Sequence, residues 1–275
     1  MSKERAPQKD LLVVKVGTNV LTDASTEPAR LDKGSFASIG GEIATLTSDT
    51  TAVALVSSGA IAAGVSDDGR SRGSVTRLAE KQFYAATGWQ TIIRHWEESV
   101  VDKEVMPALL TKHELDTTST REQMLGVAAF CLLERGGVLL VNENDTIDPS
   151  EIKLGDNDTL AAELACAFAA KKGLYRSIKL ILLTNADGLN EAADDNDTII
   201  RTVHDIDRVK PLAGDAYNGY SRGGMKTKLA AAQRAKRQGV ETFIANGRED
   251  QAISRALNGE IGTYFPLSKA RTTSE

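Results

Sequence analysis

The stretch "LLVVKVGTN" (Leu11–Asn19) has apolar residues at five of its first six positions, then Gly-Thr-Asn. Such a run does not alternate, so both faces of a strand here are buried, as in a parallel sheet covered by helices on both sides. Six further runs have the same character. They are "AVALVS" (52–57), "VMPALLT" (105–111), "VLLVNEND" (138–145), "IKLILLT" (178–184), "ETFIANG" (241–247) and "GTYFPL" (262–267). Helical patterns separate them, over 32–48, 76–101, 118 to the Gly136-Gly137 stop, 159–172, and after Gly-rich "GGMKTK" (223–228). Pro107 marks its run as an edge strand or a strand start. The expected fold class is α/β: an αβα sandwich with a mostly parallel central sheet. In such sheets ligands gather beyond the carboxyl ends of the strands.

Composition narrows the function classes. The chain has 275 residues, 41% hydrophobic and 26% charged, with a formal net charge of -5 and no basic stripe. Nucleic acid is therefore not the expected partner. The N-terminal residues are charged and lack an apolar core, and no run approaches the length of a membrane span, so neither a secretion signal nor a membrane is expected. Cys131 and Cys166 sit in apolar helical stretches and read as small hydrophobes in a reducing cytoplasm. With no linker or repeat, one domain over 11–267 is expected, between a flexible start (1–10) and a flexible tail (268–275).

Four pieces carry the chemistry. Lys15 lies inside an apolar strand, where burying an unpaired charge costs several kcal/mol. An anion beside it accounts for its place; snorkelling to solvent is the alternative. Ser57-Ser58-Gly59 brings backbone N–H groups and a helix start to a strand end, which attracts anions, or is a plain cap. "SRGGMKTK" (221–228) places two glycines before two lysines at a helix start. Basic residues there oppose the helix dipole, which favours a bound anion over a solvated turn. "NENDTIDPSEIKLGDNDTLAA" (142–162) has more short polar residues than one helix cap needs. The Lys15 piece, "VVKVGTN" (13–19), follows neither the Walker A nor the dinucleotide-fingerprint pattern. His95, His113 and His204 lack metal-ligand spacing. Trp89 and Trp96, seven apart, read as core or subunit interface, and residues 191–198 as a solvated acidic loop.

Together these pieces resemble the amino-acid kinase family, in its glutamate-phosphorylating branch, with a carbamate kinase-like fold. The resemblance rests on "VVKVGTNVLT" (13–22), "VSSGAIAAG" (56–64), "KQFYAATG" (81–88), "NENDTI" (142–147), "EIKLGDNDTLAA" (151–162), "LLTNADGL" (182–189), "GGMKTKLAAAQRA" (223–235) and "ANG" (245–247). These motifs span nearly the whole chain in family order. The resemblance implies a catalytic set of Lys15, Lys228 and Asp158. The two lysines would neutralise the transferred phosphoryl group, and Asp158, with Asp156 beside it, would hold them. It implies glutamate binding by Ser58, Asp145, Asn157 and Asp156. It implies nucleotide binding by Lys15, Thr184, Asn185, Arg222, Gly223, Gly224, Met225, Lys226, Thr227 and Lys228. The implied reaction is transfer of the terminal phosphoryl group of ATP, with Mg²⁺, to the side-chain carboxylate of L-glutamate, the first step of proline synthesis. Proline is the implied feedback inhibitor and a dimer or tetramer the implied assembly. Asn185, Arg222 and Trp89 depart from the usual pattern. Asn185 and Trp89 leave room for a sister kinase acting on aspartate, N-acetylglutamate, carbamate or a nucleoside monophosphate. A catalytically silent amino-acid-binding module is a further alternative. The chain is expected to end at the kinase boundary, without the RNA-modification-type (PUA) domain that many members carry.

Overall fold

The computed structural model describes residues 8–23, 25–26, 30–148, 157–191, 198–213 and 224–267. In chain order its elements are β1 (Asp10–Val16), α1 (Thr18–Leu21), β2 (Thr22–Asp23), β3 (Arg30–Leu31), α2 (Lys33–Leu46), β4 (Thr51–Ser57), α3 (Ala60–Asp67) and α4 (Leu78–Ser99). Then come β5 (Val105–Leu110), α5 (Lys112–Asp116), α6 (Thr118–Ala129), β6 (Val138–Glu143), α7 (Asp158–Ala170), β7 (Ile178–Thr184) and α8 (Ile206–Val209). The last are α9 (Met225–Arg237), β8 (Glu241–Asn246), α10 (Ala252–Leu257) and β9 (Thr263–Phe265). Among the described residues the central sheet has seven strands in the order β5-β6-β4-β1-β7-β8-β9. All pair in parallel except β9, which runs antiparallel to β8.

The apolar runs become buried strands because two helical layers cover them. Along β1, Leu11 and Val13 enter one core with residues of α6, α7 and α9. Leu12, Val14 and Val16 enter the other, with residues of α2, α4 and α10. This is strand alternation read on two apolar faces. β5 is one of the two edge strands, and exposed Pro107 costs no ladder bond that an inner strand would need. Trp89 and Trp96 are both core residues of the second layer, and Cys131 and Cys166 are free and buried.

The sheet has a switch point at its centre. β1 pairs with β4 on one side and with β7 on the other, so the earlier strands extend one way and the later ones the other. Ligand crevices form at the carboxyl ends of strands at such points.

Several boundaries differ from the sequence expectations. Residues 8–10 are tied down rather than loose. Asp10 opens β1, accepts a 2.7 Å bond from Ser177 Oγ and pairs with Arg176, whose amide donates to the Lys9 carbonyl at 2.8 Å. The helix expected over 76–101 spans Leu78–Ser99. The helix begun at Thr118 passes into a π-helical turn, Phe130–Glu134, before Gly136 at φ +63° ends it. Short helices α5, α8 and α10 carry too little periodicity to read from sequence. The acidic loop expected over 191–198 lies mostly outside the described residues. No described helix is long and apolar enough to cross a membrane.

Candidate functional site

Lys15 shares its strand face with Leu11 and Val13, four and two positions back, so alternation aims it at the layer containing α7. Asp158 is the first residue of α7. Lys15 Nζ stands 2.7 Å from Asp158 Oδ1, and Lys228 Nζ donates to Asp158 Oδ2 at 3.0 Å. Thr227 Oγ1 lies 3.1 Å from the same oxygen and 2.8 Å from the Gly224 carbonyl, so its one O–H serves either acceptor. The three charged residues are 4%, 0% and 5% exposed for Lys15, Asp158 and Lys228. Lys15 therefore does not snorkel. Two lysines 213 positions apart (228 minus 15) meet on one carboxylate because α7 and α9 pack together over β1. Asp158 also sits in the first turn of its helix, where the dipole favours a negative charge.

Asn157 precedes α7 in the N-cap position, yet its side chain makes no cap bond. Its Nδ2 instead donates to Asn142 Oδ1 at 2.8 Å and, with its other hydrogen, is shared between the Ser57 carbonyl and Ser58 Oγ, both at 3.2 Å. One amide thus joins the ends of β4 and β6 to the start of α7. Behind it Trp96 Nε1 donates to Ser57 Oγ at 2.8 Å. Gly59, at φ +100°, turns the chain from β4 into α3, a conformation that suits glycine. Not every amide expected to cradle an anion is open for it. Ser58 N–H is committed to the Val16 carbonyl and Gly17 N–H to the Leu183 carbonyl, at 3.0 and 3.1 Å.

Asp145 follows β6, half-buried. Burial, and then the Asp148 carboxylate, push its carboxyl up to about 6 from the ordinary Asp range. Its backbone carbonyl accepts a 2.9 Å bond from Gln82 Nε2 on α4. Asp145, Ser58 and Asn157 all stand at the carboxyl ends of β4 and β6 or directly beside them.

On the other side of Lys15, the end of β7 carries half-buried Thr184 and exposed Asn185. The Thr184 carbonyl accepts from Gly247 N at 2.8 Å, and Asn246 Nδ2 donates to Asp187 Oδ1 at 2.7 Å. In α9, Lys226 is exposed while Lys228 turns inward; Gly224 and Met225 are half-buried at its start. Asp156, Arg222 and Gly223 lie outside the described residues. Arg248 is a contributor that sequence reading missed. Its guanidinium donates to the Asn19 and Thr22 carbonyls, both at 2.8 Å, and so braces the turn after β1. The available signal was its place directly after "ANG", at a strand end.

The site's lysines suit an anion, and the polar side around Asp145 suits a small group that donates hydrogen bonds. Among the described residues no group of three or more His, Cys, Asp and Glu is arranged to hold a metal ion.

Comparisons with known proteins identify the family. A model of the amino acid kinase family matches residues 10–246. The chain is 38% identical to a glutamate 5-kinase of Photobacterium profundum, over 96% of this chain and 68% of that protein. It is 37% identical to a glutamate 5-kinase of Shewanella woodyi, over 92% and 67%. The chain thus spans about two thirds of the length of these relatives. Among solved structures, isopentenyl phosphate kinase superposes with a TM-score of 0.55 at 16% identity, covering 93% of this chain and 99% of that one. UMP kinase from Ureaplasma parvum gives 0.56 at 14%, covering 95% and 100%. At such identities the structures speak for the fold alone. With a family model over most of its length and curated relatives above a third identical, this chain belongs to the amino acid kinase family.

Proposed function

We propose that the protein transfers the terminal phosphoryl group of ATP to the side-chain carboxylate of L-glutamate, giving ADP and L-glutamyl 5-phosphate. The observation that carries the reading is the meeting of Lys15 and Lys228 on buried Asp158 at the strand ends, in a chain whose relatives are named glutamate 5-kinases. A glutamate side chain has a pKa of about 4.3 and is ionised at neutral pH, so the attack needs no general base. The obstacle is bringing a carboxylate up to a polyanionic phosphate chain. Positioning and charge neutralisation remove it. In this reading Lys15 and Lys228 offset charge on the moving phosphoryl group, and Asp158 is the positioning residue that keeps the two ammonium groups together. Mg²⁺ arrives on the nucleotide as part of the substrate and neutralises its phosphates.

Asp145, Ser58 and Asn157 would hold the amino and α-carboxyl groups of glutamate. Thr184, Asn185 and Gly224 to Lys228, with Arg222 and Gly223, would hold the nucleotide. Asp156 would support Asp158. The same reading places the enzyme at the entry to proline synthesis, with proline as a feedback inhibitor and a dimer or tetramer as the working form. The test is ADP release by the purified protein with ATP, Mg²⁺ and a panel of small acids, repeated with added proline. Turnover with glutamate and not with aspartate, N-acetylglutamate or a nucleoside monophosphate supports the reading. Preference for another acid, or no turnover, overturns it.

A further inference from the structure

The segment "KQFYAATG" (81–88) lies in α4, far in sequence from the polar loop after β6, and the reaction assigns it no part. Gln82 nevertheless reaches that loop. Its Nε2 donates to the Asp145 carbonyl at 2.9 Å and to the Thr146 carbonyl at 3.3 Å. One side-chain amide thus grips two successive peptide units across 63 and 64 positions of chain. The loop is also tied locally: Thr146 Oγ1 donates to Asn144 Oδ1 at 2.5 Å, and the amides of Ile147 and Asp148 reach the Asn144 carbonyl, both at 3.0 Å. Asn144 N is held by the Leu110 carbonyl at 2.8 Å. Ile147, 72% exposed, adds no apolar anchor. Gln82 is rigidly based, because Tyr84 and Ala85 on the same helix are buried and Tyr84 OH donates to Asp68 Oδ2 at 2.6 Å.

We infer that Gln82 is a positioning residue for substrate selection: by clamping the backbone of Asp145 and Thr146 it holds the Asp145 carboxylate where it meets the substrate's ammonium group. This rests on the glutamate reading above. Nothing in the clamp touches the reacting atoms, so its loss acts on recognition rather than on the chemical step. A carboxylate held on a loose loop forfeits ordering entropy each time it binds.

The test compares glutamate with glutarate, the same diacid without the amino group, in the parent and in Gln82→Met, which keeps the length and removes both donors. Two lost hydrogen bonds predict a rise of about tenfold in the KM for glutamate, with kcat within about threefold and the KM for ATP unchanged. The glutamate-to-glutarate ratio of kcat/KM should shrink by the same factor, because glutarate never used Asp145. Gln82→Asn, whose shorter amide cannot span both carbonyls, should fall between. Circular dichroism melting confirms that each variant is folded, and Gln82→Asn serves should Gln82→Met not be. Unchanged KM and unchanged glutamate-to-glutarate ratio in the folded variants overturn the clamp while leaving the proposed function intact, as does an equal loss on both diacids. A parent protein whose ADP release does not depend on glutamate overturns both.

Discussion

Lys15, Lys228 and Asp158 carry formal charges of +1, +1 and -1, a sum of +1, inside a site almost closed to water. Two ammonium groups drawn together on one buried carboxylate make a place that an anion can share, which is the physical ground for reading a phosphate site here. If Lys228 offsets charge that develops during transfer, Lys228→Ala should lower kcat by about 10²–10³ with little change in the KM for glutamate. Steady-state kinetics check the split. Asp145 titrates near 6 when folded, above an unfolded value of about 3.9. The folded chain holds this proton more tightly. The associated stability is full below about pH 4 and is lost as pH rises through about 6. Asp145→Asn should therefore melt above the parent at pH 8 and together with it near pH 4, as thermal melts at the two pH values would show. Binding has the opposite sense: the ammonium group of glutamate needs the ionised form, so the parent's KM for glutamate should climb as pH falls through about 6. Asp145→Asn should show a high KM with no such pH dependence.

At the scale of elements, the crossing of α3 and α4 aligns the substrate side. A Cβ on Gly88 would lie 2.0 Å from the Ala60 carbonyl oxygen and 2.3 Å from the Gly64 amide nitrogen, so these helices touch backbone to backbone. Because α3 begins directly after Ser58 and Gly59, moving it moves the strand end that Asn157 binds. Gly88→Ala should cost about 3 kcal/mol through overpacking. For a chain of this size that is a fall of roughly 10 °C in Tm. It should also raise the KM for glutamate, and calorimetry with kinetics reads both effects. Helix α2 packs against the later part of α4, with Phe36 4.7 Å from Trp96. Its cap, Asp32, accepts from Gly34 N at 3.0 Å and Ser35 N at 3.4 Å. Asp32 Oδ2 also lies 3.7 Å from Arg248 Nη1, so Asp32→Ala should cost about 1 kcal/mol through the lost cap and also loosen the guanidinium that braces the turn after β1, as a thermal melt with kinetics would show.

Across the whole molecule, the two halves of the sheet meet at β1, and the trio bridges β1, α7 and α9. Breaking a buried pair costs about 3–5 kcal/mol, because the remaining charge is stranded. Asp158→Asn should lose stability on that order, and a bound anion should restore much of it. ATP or inorganic phosphate should therefore raise the Tm of Asp158→Asn by more than that of the parent, in proportion to the affinity gained. Equal shifts in a thermal titration would show that the lysines do not share the anion.

Continuous apolar runs such as "LLVVKV" and "VLLV" determined the parallel sheet before any coordinates, since alternation and burial on two faces are local properties of sequence. The same holds for the edge strand marked by Pro107 and the helix opened at "GGMK". The oddity of Lys15 was also legible, as a charge where an apolar residue would do. Its partner, as an observed contact, was not. Only packing brought Lys228 and Asp158 to it, turned Asn157 from its own helix toward Ser57, Ser58 and Asn142, and carried Gln82 across to the Asp145 backbone. These contacts join residues tens to hundreds of positions apart. They depend on how helices settle on the sheet, which local periodicity does not encode.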